Sequence, residues 1–153
     1  MNREIQAKDI MQMNVICVTP DASLAEVRDL FVRHRISGAP VVDEEGLVGV
    51  ISLSDLVRVG LAKDVDDFPE NSYFIGLPLL YGAELNTLQE QLEDRVVEEA
   101  MSTEVYTVAA DDRLSVLAVT MRHHKIHRLI ITEGKKVVGI VTALDLIQVL
   151  ENH

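Results

Sequence analysis

The chain carries the same pattern twice at a fixed spacing of 90 residues, with no gap between the copies. Met11 falls on Met101, Leu24 on Leu114, His34 on His124, Ile36 on Ile126, Leu47 on Val137, Gly49 on Gly139, and Asp55-Leu56 on Asp145-Leu146. An internal repeat identifies the building block before any fold is assigned. A unit present twice is expected to form two similar halves facing each other across a pseudo-two-fold axis, with ligand sites in pairs at the seam.

Each copy reads β-α-β-β-α. Val15-Ile16-Cys17-Val18 and Val105-Tyr106-Thr107-Val108 are short runs rich in β-formers, which predicts strands. Asp21-Ala22-Ser23 and Asp111-Asp112-Arg113 then open helices with apolar residues at helical spacing: Leu24, Val27, Leu30 and Phe31 in the first copy, Leu114, Leu117 and Met121 in the second. Ala39–Val42 and Leu129–Ile131 predict buried strands. Polar turns at Asp43-Glu44-Glu45-Gly46 and Glu133-Gly134-Lys135-Lys136 join them to Leu47–Ile51 and Val137–Val141, so each pair should close as a hairpin. The last helices begin near Ser52 and Thr142, with Leu56, Val57 and Val59, and Leu146, Ile147, Val149 and Leu150, on apolar faces.

With no tryptophan and few aromatics, the core must be aliphatic. The formal charge of −11 argues against nucleic acid as a partner. Residues 63–99 account for −8 of it, so the repeats are nearly neutral and can still hold a local anion. Cys17 is the lone cysteine, which excludes an intrachain disulfide and suits a reducing compartment. The N-terminus lacks the apolar stretch of a signal peptide, and no run reaches the ~20 apolar residues of a membrane span. The expectation is a cytoplasmic chain without a membrane partner.

Between the copies, residues 61–96 form an acidic linker holding Phe68, Tyr73, Phe74 and Tyr81. The apolar stretch from Phe74 to Gly82 should pack against something. Thr87 and Glu90 have capping-box spacing, and Leu85, Leu88, Leu92 and Val96 are expected on one helical face. A structured spacer and a partner-docking lid both fit this composition.

Two clusters carry chemistry. Ser52-Leu53-Ser54-Asp55 and Thr142-Ala143-Leu144-Asp145 lie where a strand gives way to a helix. A hydroxyl followed three residues later by an acid is a helix-capping pattern. A carboxylate at such a turn also accepts hydrogen bonds from both hydroxyls of a ribose, a neutral diol that it does not repel; both readings stay open on the residues alone. The second cluster precedes the middle strand: Arg33-His34-Arg35 in the first copy, His123-His124-Lys125 and then His127-Arg128 in the second. Cations at a helix C-terminus complement the macrodipole, which accounts for Arg33, Arg35 and Lys125. His127-Arg128 lies at the start of a buried strand and is read as a phosphate contact, since arginine binds phosphate bidentately and histidine adds a donor. His123 and His127 would be one helical turn apart if the helix ran that far, but no further metal-ligating pattern supports them, so no metal site is assigned. Cys17, in an apolar strand, is read as an inert thiol. No catalytic acid pair, nucleophile or phosphate loop is visible, and no enzymatic activity is expected.

Phe31-Val32-Arg33-His34-Arg35-Ile36-Ser37-Gly38-Ala39-Pro40-Val41-Val42-Asp43 resembles the central stretch of the CBS domain, the module named after cystathionine beta-synthase. Ile126-His127-Arg128-Leu129-Ile130-Ile131, followed by Val138-Gly139-Ile140-Val141-Thr142, is similar to a nucleotide-binding repeat in the gamma subunit of the AMP-activated protein kinase. The resemblance covers 7–60 and 97–151 as two CBS repeats, with 61–96 as linker. It implies an α/β (α+β) fold: a Bateman module of two β-α-β-β-α repeats packed sheet to sheet, with two clefts for adenosine-containing ligands.

Carried to matching positions, the family pattern makes Asp55 and Asp145 ribose binders assisted by Ser52 and Thr142. His127 and Arg128 become phosphate contacts, and Ile16, Gly38, Ala39 and Tyr106 border the adenine. The implied ligand is AMP, ADP, ATP or S-adenosylmethionine. The implied role is a regulatory module, a homodimer signalling to a protein partner that the sequence does not identify. The alternative is a scaffold with empty clefts. Three departures stand out: Ser37-Gly38 occupies the position of His127-Arg128, Leu144 that of Ser54, and Ile130 that of Pro40.

Overall fold

The structure, a computed structural model, describes residues 4–61, 72–75 and 92–152. Its elements in chain order are α1 (Ala7–Ile10), α2 (Leu24–His34), β1 (Gly38–Asp43), β2 (Gly46–Ser52), α3 (Leu53–Leu61), α4 (Ser72–Ile75), α5 (Val97–Ala100), β3 (Thr107–Ala109), α6 (Leu114–His124), β4 (Arg128–Glu133), β5 (Lys136–Thr142) and α7 (Ala143–Glu151). The mixed helix-and-strand class read from the pattern is the one observed.

α2 forms because Leu24, Val27 and Phe31 recur at helical spacing and are all buried on one face. The Ser23 hydroxyl accepts a hydrogen bond from the Glu26 N–H at 3.1 Å and starts the helix. It stops at Arg35, whose left-handed backbone (φ 54°) turns the chain out. α6 ends identically at Lys125 (φ 56°). The helix therefore does not continue to His127, and the one-turn spacing of His123 and His127 on a common helix is not realised. In the first hairpin turn, Asp43 Oδ1 accepts from the N–H groups of Glu45 (2.8 Å) and Gly46 (3.2 Å), and Gly46 adopts φ 125°, which a side chain would oppose.

The first strand of each copy differs from expectation. In the second copy it is Thr107–Ala109, parallel to β4, rather than 105–108. In the first copy no strand forms over 15–18; Val18 alone bridges Val41, its N–H donating to Pro40 O at 3.0 Å. Two prolines account for the difference: Ile130 N–H donates to Tyr106 O at 3.2 Å, a bond that the aligned Pro40 cannot make to Ile16, and a second bond is lost at Pro20, aligned with Ala110. Ala110 N–H donates to Thr132 O at 3.3 Å, whereas Pro20 has no N–H to extend the ladder.

The chain divides into two compact units that cut across the sequence repeats. Among the described residues, one takes 4–15, 74–75 and 105–152, the other 16–61, 72–73 and 92–104. Each unit joins the body of one copy to the segment that leads into the other. Gln12 and Ile140 exchange N–H···O bonds of 2.9 and 3.0 Å, and Ser102 and Val50 exchange two of 2.9 Å. Ala7 N–H donates to Asp112 O and Val97 N–H to Ala22 O, at 2.8 and 2.9 Å. All of these bonds recur at the 90-residue offset.

In the first-copy unit, Leu24, Val27, Phe31, Val41, Ile51 and Leu56 form a core with Leu92 and Val97. In the other unit the buried residues include Ala7, Leu117, Met121, Ile126, Leu129, Ile131 and Val141. Of the apolar stretch expected to pack, Phe74 is buried; Tyr73 and Leu92 of the linker are buried as well. Val96 does not share a helix with Leu92. It is the extended residue before α5 and bridges Ser23. Phe68, Tyr81, Leu85, Thr87, Leu88 and Glu90 lie outside the described residues.

Candidate functional site

The hairpin register brings the two sequence clusters of each copy to one end of the sheet. Arg128 pairs directly with Thr142, and Ala143 N–H donates to His127 O at 2.8 Å. In the other copy Gly38 pairs with Ser52, and Leu53 N–H donates to Ser37 O at 2.9 Å. The start of the middle strand and the mouth of the last helix are thus neighbours in both copies. His127-Arg128 lies at the entry to β4 as expected, with His127 exposed and Arg128 half-buried.

The two acids differ. Asp145 caps α7: its Oδ2 accepts from the Thr142 N–H at 2.8 Å while the Thr142 hydroxyl accepts from the Asp145 N–H at 3.3 Å. The same Oδ2 accepts from Gln12 Nε2 at 3.3 Å, and Oδ1 accepts nothing among the described residues. Asp145 is half-buried and opens on a cavity of about 560 Å³ lined by Glu4, Ile5, Asp9, Ile10, Gln148 and Val149, with Asn152. Asp55, by contrast, is only 4% exposed. Its Oδ2 accepts from Ser52 N (2.8 Å) and Ser52 Oγ (3.1 Å), and its Oδ1 from Arg58 Nη1 (2.8 Å). Burial pushes its pKa above the ordinary value, against the opposing pull of these hydrogen bonds and of the Arg58 charge. The cavity at Asp55 is smaller, about 350 Å³, and is lined also by Arg58 and by residues 100–104.

Both cavities are walled by the segment leading into the opposite copy, 4–10 at Asp145 and 100–104 at Asp55. Gln12 and Arg58, the residues that distinguish the two acids, were not singled out from the sequence. Arg58 sits three residues after Asp55 at the position aligned with Gln148, a difference that was legible. The pairing of Gln12 with Asp145, 133 residues apart, was not. Around Asp145 the charges are acidic, Glu4 and Asp9. This wall disfavours an anion, and the nearest strand pairing brings Arg128 beside Thr142, the residue that caps the same helix.

The adenine-bordering candidates are distributed as follows. Ala39 places its methyl in the core and Ile16 is half-buried in the bend before Val18. Gly38 lies against Tyr73: a methyl there would stand 2.4 Å from the Tyr73 ring, so only glycine fits. Tyr106 packs edge-to-face on Phe74, ring centroids 5.0 Å apart at 90°, and stacks at a tilt on His124 at 4.7 Å. Cys17 is half-buried, and burial raises its pKa, which keeps it a thiol. Among the described residues no three or more His, Cys, Asp or Glu side chains converge as a metal site, and no helix is long and apolar enough to cross a membrane.

Comparison with known proteins places this geometry. The CBS domain family model matches residues 7–62 and again 97–152. An uncharacterized protein of Methanocaldococcus jannaschii, MJ1426, is 33% identical over 159 residues, spanning 98% of this chain and 94% of the relative. Another from that organism, MJ1232, is 29% identical over 95% of the chain, which spans only 40% of that relative. Among solved structures, the CBS domain of a CBS-domain-containing membrane protein from Sphaerobacter thermophilus superimposes with a TM-score of 0.70 at 31% identity, covering 95% of this chain and 88% of that one. The CBS domain pair of protein MJ0100, solved with 5′-methylthioadenosine and S-adenosyl-L-methionine, gives a TM-score of 0.67 at 24% identity, covering 98% of both chains. CBSX2 in complex with AMP gives 0.69 at 24%, covering 96% and 97%. At 24% identity these last two speak to the fold. With both copies of the repeat matched and the same architecture recovered across nearly its whole length, the chain belongs to the CBS domain family as a tandem pair.

Proposed function

We propose that this chain is a non-enzymatic regulatory module that binds an adenine nucleotide or adenosyl compound and passes its occupancy to a protein partner. The observation that carries the reading is the unengaged Oδ1 of Asp145 at the mouth of a cavity, on a helix cap held in place by Thr142 and Gln12. Such a carboxylate is preorganised to accept from a ribose diol. Arg128, across the hairpin from Thr142, supplies the cation for a phosphate, with the exposed His127 beside it. Relatives with this fold have been solved with AMP, and with 5′-methylthioadenosine and S-adenosyl-L-methionine, which supports the choice of ligand class. Asp55, with both oxygens engaged inside the chain, is the weaker sugar binder, so one site dominates.

Calorimetry with adenosine, AMP, ADP, ATP and S-adenosylmethionine tests the reading. Asp145→Ala should weaken every ligand that binds by about tenfold or more, the scale of a charge-assisted hydrogen bond. Asp55→Ala should change affinity much less, and Arg128→Ala should weaken AMP more than adenosine. Absence of binding by all five ligands, or equal effects of the two acids, would remove the proposal.

A second reading, assembly, rests on α7. Leu144, Ile147 and Leu150 lie on one face and are 62, 50 and 77% exposed, whereas the aligned Ser54 and Val57 on α3 are buried. Three large apolar side chains on one helical stripe fit the same stripe of a second copy, which supports a homodimer.

A further inference from the structure

The linker helix α4 places its two aromatic residues against the residues that were expected to border adenine. In the unit that contains Asp145, Phe74 is fully buried, its ring standing edge-to-face on Tyr106. Its backbone carbonyl accepts a hydrogen bond from the His127 N–H at 2.7 Å. A flat ring against Tyr106 and an acceptor for a main-chain N–H are the two features that an adenine ring also presents. In the other unit Tyr73 covers Gly38, 3% exposed, on a surface that no residue larger than glycine permits. The aligned position is Arg128, so the first copy has given up a possible phosphate contact and made room for a ring of its own chain.

We propose that Phe74 is an internal occupant of the adenine position beside Tyr106, and that an adenosyl ligand enters by displacing it. Binding and release of α4 are then one event, and α4 becomes the element that reports the ligand to a partner. This rests on the adenosyl reading above and adds to it the competitor that sets the apparent affinity. With the displaced form populated at about 10%, the apparent affinity is about tenfold weaker than the intrinsic one. Removing the competitor restores the difference.

Two measurements on the full chain test this. In the first, AMP and adenosine are titrated into the wild type and Phe74→Ala; the variant should bind about tenfold tighter. In the second, the wild type is digested with chymotrypsin, with and without saturating AMP, and cleavage after Tyr73 and Phe74 is followed by mass spectrometry. AMP should accelerate both cuts several-fold, a readout that needs no variant and therefore stands if Phe74→Ala fails to fold. Wild-type binding with unchanged or weaker affinity in Phe74→Ala would show that Phe74 is a wall of the site or unrelated to it. Protection of the two bonds by AMP would show that α4 closes over the ligand, and unchanged cleavage that it stays put; each overturns the displacement. Binding by neither protein would defeat the adenosyl reading itself, a result distinct from wild-type binding without competition.

Discussion

Replacing Gly49 by alanine should destabilise the chain more than replacing Gly139, although the two positions are equivalent in the repeat. A methyl at Gly49 would stand 2.6 Å from Ser102 O and 3.0 Å from Met101 Sδ. Ser102 is held by both of its backbone bonds to Val50, each 2.9 Å, so the carbonyl cannot retreat without lengthening one of them. Overpacking of this kind costs about 1–3 kcal/mol, and weakening one such bond adds roughly 1 kcal/mol. The reduced freedom of the unfolded chain returns about 0.4–1 kcal/mol. The net is about 1–3.5 kcal/mol.

The three atoms nearest a methyl at Gly139 all belong to Met11: Sδ at 2.5 Å, Cγ at 2.7 Å and Cβ at 2.9 Å. The sulfur and Cγ can swing aside, but the Cβ moves only with its backbone. Overpacking of about 1–3 kcal/mol, less the roughly 0.4–1 kcal/mol returned by the unfolded chain, leaves a net cost of about 0–2.5 kcal/mol, without the added loss of a backbone bond. Urea denaturation followed by circular dichroism measures both, and the Gly49→Ala melting temperature should fall by roughly 2–14 °C for a chain of this size. Met11→Ala in the Gly139→Ala background should relieve the part of the penalty that comes from the sulfur and Cγ, leaving only the Cβ contact at 2.9 Å. Equal costs at the two glycines, or no relief from Met11→Ala, would refute the crossing of the lead segments that wall the cavities at Asp55 and Asp145.

Two further outcomes are expected. If α7 joins two copies, Ile147→Glu should convert a dimer to a monomer in sedimentation velocity; a wild-type monomer at high concentration would end that reading. Asp55 has a folded pKa above the 3.8 it returns to on unfolding. The folded state therefore binds more protons in the interval between the two values. Its stability contribution is full below 3.8 and is lost as pH rises through the folded pKa. Between pH 7 and 4.5 the wild type should gain stability relative to Asp55→Asn as pH falls. A constant or opposite difference in urea midpoints would contradict the burial of this acid.

Local features were legible where the signal was local. The Ser23 cap, the Asp43–Gly46 turn and the hydroxyl–acid spacing at Thr142 and Asp145 are set within three or four residues, and each was found where the pattern placed it. The β-formers at 15–18 signal a strand that does not form, because the two prolines that interrupt its ladder act through partners, Ile16 with Pro40 and Pro20 with Val42, that only the fold brings together. The linker's aromatic content signalled packing, but not against what. Its contacts with Gly38 and Tyr106 are long-range in sequence and leave no periodic trace.

By itself, then, the sequence determined a duplicated helix–hairpin–helix unit with an acid at the mouth of each last helix. Tertiary structure decided which copy each lead segment joins, which acid keeps an open oxygen, and where Tyr73 and Phe74 go. The reason is a degeneracy built into the repeat. Two copies present matching strand edges and glycines at 49 and 139, so a lead segment finds the same hydrogen-bond pattern in either one. Only the three-dimensional path of the connecting chain breaks that tie.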